Sequence, residues 1–277
     1  VGQSAQQLAE YVLAQHEAAT VVQILNRARV RPAPLKGVLL QRLVYEPGMR
    51  KLSDLDFLIA SADRARACAA LRAHNYELVH EDVNARSYVH PDRAIHIDLH
   101  WALFPHGLFR LSTEEVLGRA TLDDTLFEGE VYRLEALDVL AHLVGNFAKG
   151  LESAAYATHV ADFAVLVGRG LVPARDAAHH LCRCGMRRAG AYVLTALGSS
   201  LDVQWSAAMW DHLGVTRHDT RVAHGLVRLA RRLPDSSRWR IPLRYMLQDT
   251  WWQTATTVGH HVRWSLTKRR RPFIRSR

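Results

Sequence analysis

The segment Asp54-Leu55-Asp56-Phe57-Leu58-Ile59-Ala60 starts as an alternation of acidic and apolar residues and turns into an apolar run of strand length. That is the pattern of a buried strand with acids at its start. Side chains two apart on a strand share a face, so Asp54 and Asp56 point the same way. A third acid, Asp98, stands in Ile95-His96-Ile97-Asp98-Leu99-His100-Trp101, a second strand-like run. If the two strands are neighbours, Asp98 converges on the pair. Three clustered carboxylates repel one another and call for a cation, and Mg²⁺ takes oxygen ligands while keeping positions for water and substrate phosphates. Two-metal phosphoryl and nucleotidyl transfer uses such a set. Asp54, Asp56 and Asp98 are therefore the candidate metal ligands and catalytic acids.

Upstream, Leu35-Lys36-Gly37-Val38 puts a glycine where a short strand, expected at 33–36, turns into a short helix. Free backbone N–H groups and the helix dipole suit phosphate oxygens there. Lys36 adds a point charge, and Arg50, four residues before Asp54, can clamp a further phosphate oxygen. His100 is expected to orient Asp98 or to hydrogen-bond across strands. His96, Asp98 and His100 share a strand face, but a zinc site needs a tetrahedral set that no other residues complete.

Outward from this centre, 4–30 reads as a long helix or helix pair, 38–45 as a short helix stopped by Glu46-Pro47-Gly48, and 61–73 as a helix. Strands are expected at 76–80, 87–90, 95–101 and 130–134. From Glu135 helical periodicity takes over, with a last long helix at 243–266 bearing Trp251, Trp252, Trp264 and Tyr245 with Arg244 and Arg263. That helix reads as core plus interface. The expected organisation is an α+β domain over 1–134, a helical domain over 135–267 and a basic tail over 268–277.

Leu35-Lys36-Gly37, Tyr45 with Gly48 and Arg50, Asp54 to Ile59, and Ile97-Asp98-Leu99-His100-Trp101 together resemble the uncharacterised nucleotidyltransferase-like family of the polymerase β superfamily, frequent in bacterial biosynthetic loci. The resemblance is strong over 33–105 and looser beyond, through Leu140-Ala141-His142 and His159 to Phe163. It implies a polymerase β-like core, a small mixed sheet with flanking helices, followed by a C-terminal helical lobe. It also implies Asp54 and Asp56 as paired metal ligands, Asp98 as the third acid, and Gly37 in the phosphate-binding turn. The wider superfamily has Gly-Ser at that turn and a shorter gap to the acids; Lys36-Gly37 is a departure that the smaller family shares.

The expected function is Mg²⁺-dependent (or Mn²⁺-dependent) transfer of a nucleotidyl group from a nucleoside triphosphate to a small-molecule, sugar or peptide acceptor. Two alternatives are kept: a metal-dependent glycosyltransferase using a nucleotide sugar, and a non-catalytic protein with the same fold. Taken singly, Asp-x-Asp at a strand start reads as solvated turn residues, and His142, His159 and Asp162 as packing residues of the helical part. The combination carries the site.

The 277 residues are 48% apolar and 23% charged, as in ordinary globular proteins. Lys and Arg number 36 against 27 Asp and Glu, a formal charge of +9, which suits an anionic partner. Much of that excess lies in the tail from Lys268 to Arg277, a solvated end before it is a nucleic-acid arm, so nucleic acid ranks low among partners. Cys68, Cys182 and Cys184 form no disulfide framework. No apolar run approaches the roughly 18 residues of a membrane span, and a cytoplasmic protein is expected. Without a nucleophile elbow, HExxH, Walker A loop or GxGxxG, serine hydrolases, zinc proteases and dinucleotide enzymes drop out.

Overall fold

The computed structural model describes residues 5–93, 95–151, 156–234 and 240–268. Helix α1 (Ala5–Arg27) leads into strand β1 (Ala33–Pro34) and helix α2 (Lys36–Leu43), then strand β2 (Asp54–Leu58) and helix α3 (Arg64–Ala73). Strands β3 (Glu77–Glu81), β4 (Ala85–Val89) and β5 (His96–His100) complete a five-stranded sheet of order β1-β2-β5-β4-β3. Only β2 and β5 pair in parallel; the other three pairs are antiparallel.

That parallel pairing positions everything else. Its register sets Asp56 opposite Asp98 and Leu58 opposite His100. The alternation of a strand then sends Leu55, Phe57, Ile97 and Leu99, all fully buried, to the opposite face. Arg86, paired with Leu99, reaches Cys68 Sγ on α3 (3.3 Å), so α3 covers the apolar face. Helix α1 packs on α3, and its stripe Ala14, Ala18, Val21 and Leu25 is buried. Burying each large aliphatic side chain in this layer contributes about 2 kcal/mol. The other face keeps the acids.

No element is expected between 102 and 129, yet the structure has helix α4 (Thr113–Arg119) and strand β6 (Thr121–Phe127), the latter in a hairpin with β7 (Gly129–Arg133). A reciprocal Ser112–Glu115 capping box starts α4. Strand β6 breaks its alternation at an irregularity between Asp123 and Phe127, which is why its pattern is weak. The hairpin is tied to α1 and β1 by Glu130 N–H to Asn26 Oδ1 (2.7 Å) and Tyr132 N–H to Pro32 O (2.9 Å).

After residue 135 the expected helices appear: α5 (Ala136–Gly150), α6 (Tyr156–Gly168), α7 (Ala174–Arg183), α8 (Arg187–Leu197), α9 (Val203–His212) and α10 (Arg217–Arg232). The single last helix is a correction. It is two, α11 (Arg240–Tyr245) and α12 (Trp251–Lys268). Between them Asp249 accepts the backbone N–H groups of Arg187 (3.0 Å) and Arg188 (2.9 Å) at the start of α8. Thr250 and Gln253 then cap α12 reciprocally. Trp252 is exposed, while the side chains of Trp251 and Trp264 and residues 269–277 of the basic tail lie outside the described residues. Among the described residues, no helix is long and apolar enough to cross a membrane.

Asp219 fixes the start of α10 against α8. It is buried, accepts Arg188 Nε at 2.7 Å, and closes a capping box with Thr216. Burial works against the carboxylate, but the Arg188 and Thr216 hydrogen bonds outweigh it and pull its pKa down to about 2. A depressed folded-state pKa stabilises above the unfolded value, and that contribution disappears as pH falls through the folded one. Asp219→Asn should therefore lower unfolding stability by about 2 kcal/mol at pH 7 and by about half that at pH 3; urea titrations of wild type and variant at the two pH values check both numbers.

Candidate active site

The turn from β1 into α2 carries the first pieces. Leu35 N–H donates to Asp56 O (2.9 Å), which docks the turn beside β2. Lys36 follows with φ of 46°, a left-handed conformation unusual for a lysine, and its Nζ reaches Asp56 Oδ1 at 2.6 Å. A bulky side chain held at positive φ at a site is the kind of local strain that surrounding contacts must maintain. Gly37 comes next in a crowded spot: a Cβ there would lie 2.5 Å from Leu52 Cδ2 and 3.2 Å from Arg50 Nη2, so both side chains would have to shift to admit one. Helix α2 has no side-chain cap at Leu35, so the N–H groups of its first turn have no side-chain acceptor there.

Asp56 is the centre. It is 3% exposed, and its Oδ1 takes both Lys36 Nζ and, at 2.9 Å, His100 Nε2 from the adjacent strand. Burial raises a carboxyl pKa, but Lys36 and His100 outweigh it and hold Asp56 well below the usual range. Burial likewise works against the Lys36 ammonium, and the charges of Asp56, Asp54 and Asp98 push its pKa up regardless. His100 thus takes the cross-strand role and not that of orienting Asp98, because its register opposite Leu58 puts the ring over β2.

Asp56, Asp98 and His100 offer ligand atoms that lie within 4.8 Å of one another. Asp54 stands outside that group, at the first position of β2, where Ser53 Oγ donates to it at 2.9 Å. Two residues along a strand is roughly 6.6 Å, which accounts for the gap. Its pKa is raised by burial and then by the charge of Asp56, with Asp98 adding to it. The three acids share one face of β2 and β5, and Lys36 is the one lysine or arginine hydrogen-bonded to any of them among the described residues. An all-oxygen carboxylate set with more negative than positive charge fits a hard divalent cation.

Arg50 is brought beside Gly37 as expected, but as half of an ion pair. Its Nε and Nη2 donate to Asp162 Oδ1 and Oδ2 at 2.9 and 3.1 Å, a two-pronged arrangement. Tyr45 OH donates to the same Oδ1 at 2.9 Å. Gly48, at φ of 78°, lets the chain between them turn back. Asp162 is buried, so a carboxylate from α6 sets where the guanidinium faces the turn. His142 and His159, both on the helical side, have pKa values lowered first by burial and also by the charge of Lys36, with Asp162 opposing it at His159, so both favour the neutral ring. Asn146 Nδ2 lies 2.8 Å from His142 Nε2, and His159 rests edge-on against Phe147.

Residues 2–199 match the family described as uncharacterised nucleotidyltransferase. The chain belongs to that family. By family, then, this protein is a nucleotidyltransferase, with a mixed α+β fold whose small sheet is flanked by helices. No curated protein sequence matches it. Among solved structures, the antibiotic-resistance factor ANT(2'')-Ia is 12% identical, with 61% of this chain and 91% of that one covered and a TM-score of 0.42. An antigenic nucleotidyltransferase-like protein from Paracoccidioides brasiliensis is 15% identical, covering 61% and 79% at a TM-score of 0.40. JHP933 from Helicobacter pylori is 13% identical, covering 83% and 97% at 0.38.

Within this nucleotidyltransferase, the sequence pattern gives no sign of the Arg50–Asp162 pair, since 112 residues separate its members. Removing one partner of a buried pair leaves the other charge uncompensated, at a cost of about 3 kcal/mol. Asp162→Ala and Arg50→Met should each destabilise by about that amount, and the double variant by clearly less than their sum. Chemical denaturation of the four proteins measures the coupling, and strict additivity would contradict it.

Proposed function

We propose that the protein transfers a nucleotidyl group from a nucleoside triphosphate to a small-molecule, sugar or peptide acceptor within a biosynthetic pathway. The observation that carries this reading is the set of three acids facing one way across a parallel strand pair, next to a glycine turn at a helix start. Asp54, Asp56 and Asp98 hold Mg²⁺ or Mn²⁺, which when bound neutralises charge on the triphosphate and lowers the pKa of the attacking hydroxyl.

The chain's own residues do the rest. The backbone N–H groups around Gly37 receive phosphate oxygens, helped by the dipole of α2. Arg50, aimed by Asp162 and by the Lys51 carbonyl, adds positive charge and its remaining Nη1 and Nη2 hydrogens on the same side. Lys36 keeps Asp56 ionised and His100 fixes its orientation. The new bond joins an acceptor oxygen to the α-phosphorus, the bond to pyrophosphate breaks, and Asp98 takes the acceptor's proton. The acceptor enters between the α+β part, 1–134, and the helical part, 135–267, where His142 and His159 lie.

The nucleotide-sugar alternative calls for repeated βαβ units, and this sheet has a single parallel pair. A non-catalytic role has no support from a lost acid, since all three are present and share a face.

Asp56→Asn removes a charge from the centre while keeping the shape. Calorimetric titration with ATP, GTP, CTP, UTP and UDP-glucose, with and without Mg²⁺ or Mn²⁺, should show metal-dependent binding of a triphosphate to wild type and none to the folded variant. Preference for UDP-glucose would move the reading to glycosyl transfer. Silence from all five ligands on folded wild type would remove the donor site.

A further inference from the structure

Beyond His100 the sheet opens onto a cavity that the donor chemistry does not use. It measures about 180 Å³ and is lined by Asp82 at the β3–β4 turn, His106 in the segment after β5, Lys149 at the end of α5, Arg244 and Tyr245 of α11, and His260 of α12. Ala85 pairs with His100, and Trp101 N–H donates to Asn84 O, so the β3–β4 turn borders the C-terminal end of β5. The Gly37 turn lies on the other flank, beside β1 and β2. The cavity and the phosphate turn therefore stand on opposite sides of the Asp56–Asp98 pair.

Lys149, Arg244 and two histidines line the cavity together with one acid, Asp82. Among the described residues, no carboxylate forms a hydrogen bond or salt bridge with Lys149. The His106 and His260 rings lie 4.0 Å apart, centroid to centroid. An ammonium that lines a recess, is partly withdrawn from water and has no carboxylate bonded to it suits an anion. At about 180 Å³ the recess is smaller than the roughly 300 Å³ at which small-molecule sites begin, so it holds one group of a ligand and not a nucleotide.

We propose that this cavity is the subsite for an anionic group, a phosphate or a carboxylate, carried by the acceptor that receives the nucleotidyl group. The proposal rests on the transferase reading above. Asp98 stands on β5, the strand whose end borders the cavity, so an acceptor anchored there presents its oxygen on the Asp98 side while the donor occupies the Gly37 side. The pKa of the Lys149 ammonium is lowered first by burial and then by the charge of Lys36; Asp82 opposes this, Arg244 adds to it and Asp56 opposes it more weakly. An arriving anion relieves that repulsion. The same charge pattern disfavours a polycationic acceptor.

The test titrates inorganic phosphate and acetate into wild type, Lys149→Gln and Lys149→Arg, with the donor position filled by Mg²⁺ and a non-hydrolysable ATP analogue and again without it. One of the two anions should bind wild type, bind Lys149→Gln about tenfold or more weakly, and regain affinity in Lys149→Arg, because a charge-assisted hydrogen bond is lost and restored. Affinity for the Mg²⁺-loaded ATP analogue should stay within about twofold in Lys149→Gln, since the donor lies on the other flank. Preference for phosphate assigns a phosphoester acceptor and preference for acetate a carboxylate one. No anion binding by folded wild type, equal binding by Lys149→Gln, or loss of ATP-analogue binding in step with anion binding would overturn the proposal. If wild type fails to bind the analogue while Lys149-dependent anion binding persists, the transferase reading fails and the anion site stands.

Discussion

A carboxylate buried beneath a lysine and a histidine at a parallel strand junction is expensive to assemble, and the folding of residues 33–100 is arranged around one, Asp56. Desolvating it alone would favour its neutral form. It stays ionised because Lys36 and His100 both donate to one of its oxygens, and because neighbouring backbone holds those donors in place. Leu35 N–H donates to Asp56 O and Ile59 N–H to His100 O, which ties the turn to β2 and β2 to β5. The strained backbone of Lys36 follows from the same need: a lysine at the very start of α2 must turn back toward the sheet to reach its acid.

From that constraint the distribution of charge follows. One lysine bonded to a face bearing three acids leaves the face short of positive charge, while the flanking guanidinium of Arg50 is committed to Asp162. In the proposed function, cation and triphosphate would supply opposite halves of what is missing, the first for the acids and the second for the N–H groups at α2. The helical part contributes through two elements, α6 with Asp162 behind the Gly37 turn and α5 with His142 and Lys149 on the side proposed for the acceptor.

Much of this was legible in local pattern. The alternation at Asp54 and Asp56 and the run around Asp98 announced strands whose acids share a face, and Lys36-Gly37 announced the turn. What local pattern cannot carry is pairing at a distance. Whether β2 neighbours β5 in parallel, which oxygen His100 meets, and that Asp162 captures Arg50 depend on contacts between residues 44 to 112 positions apart. The break between α11 and α12 is an intermediate case: Thr250-Trp-Trp-Gln253 is a readable cap, but the role of Asp249 at the start of α8 is tertiary. Helix α4 was readable too, through Ser112 and Glu115, whereas β6 lacks the alternation that marks a strand.

On the proposed function, the acids of β2 and β5 form a divalent-cation site. Counting Mn²⁺ bound per chain by electron paramagnetic resonance, in wild type and in Asp98→Asn, tests it without presuming any donor or acceptor. Mn²⁺ should bind saturably, more tightly when a nucleoside triphosphate is present and markedly more weakly in the variant. Mn²⁺ that stays free in solution with folded wild type and triphosphate, or that binds Asp98→Asn equally well, would contradict it.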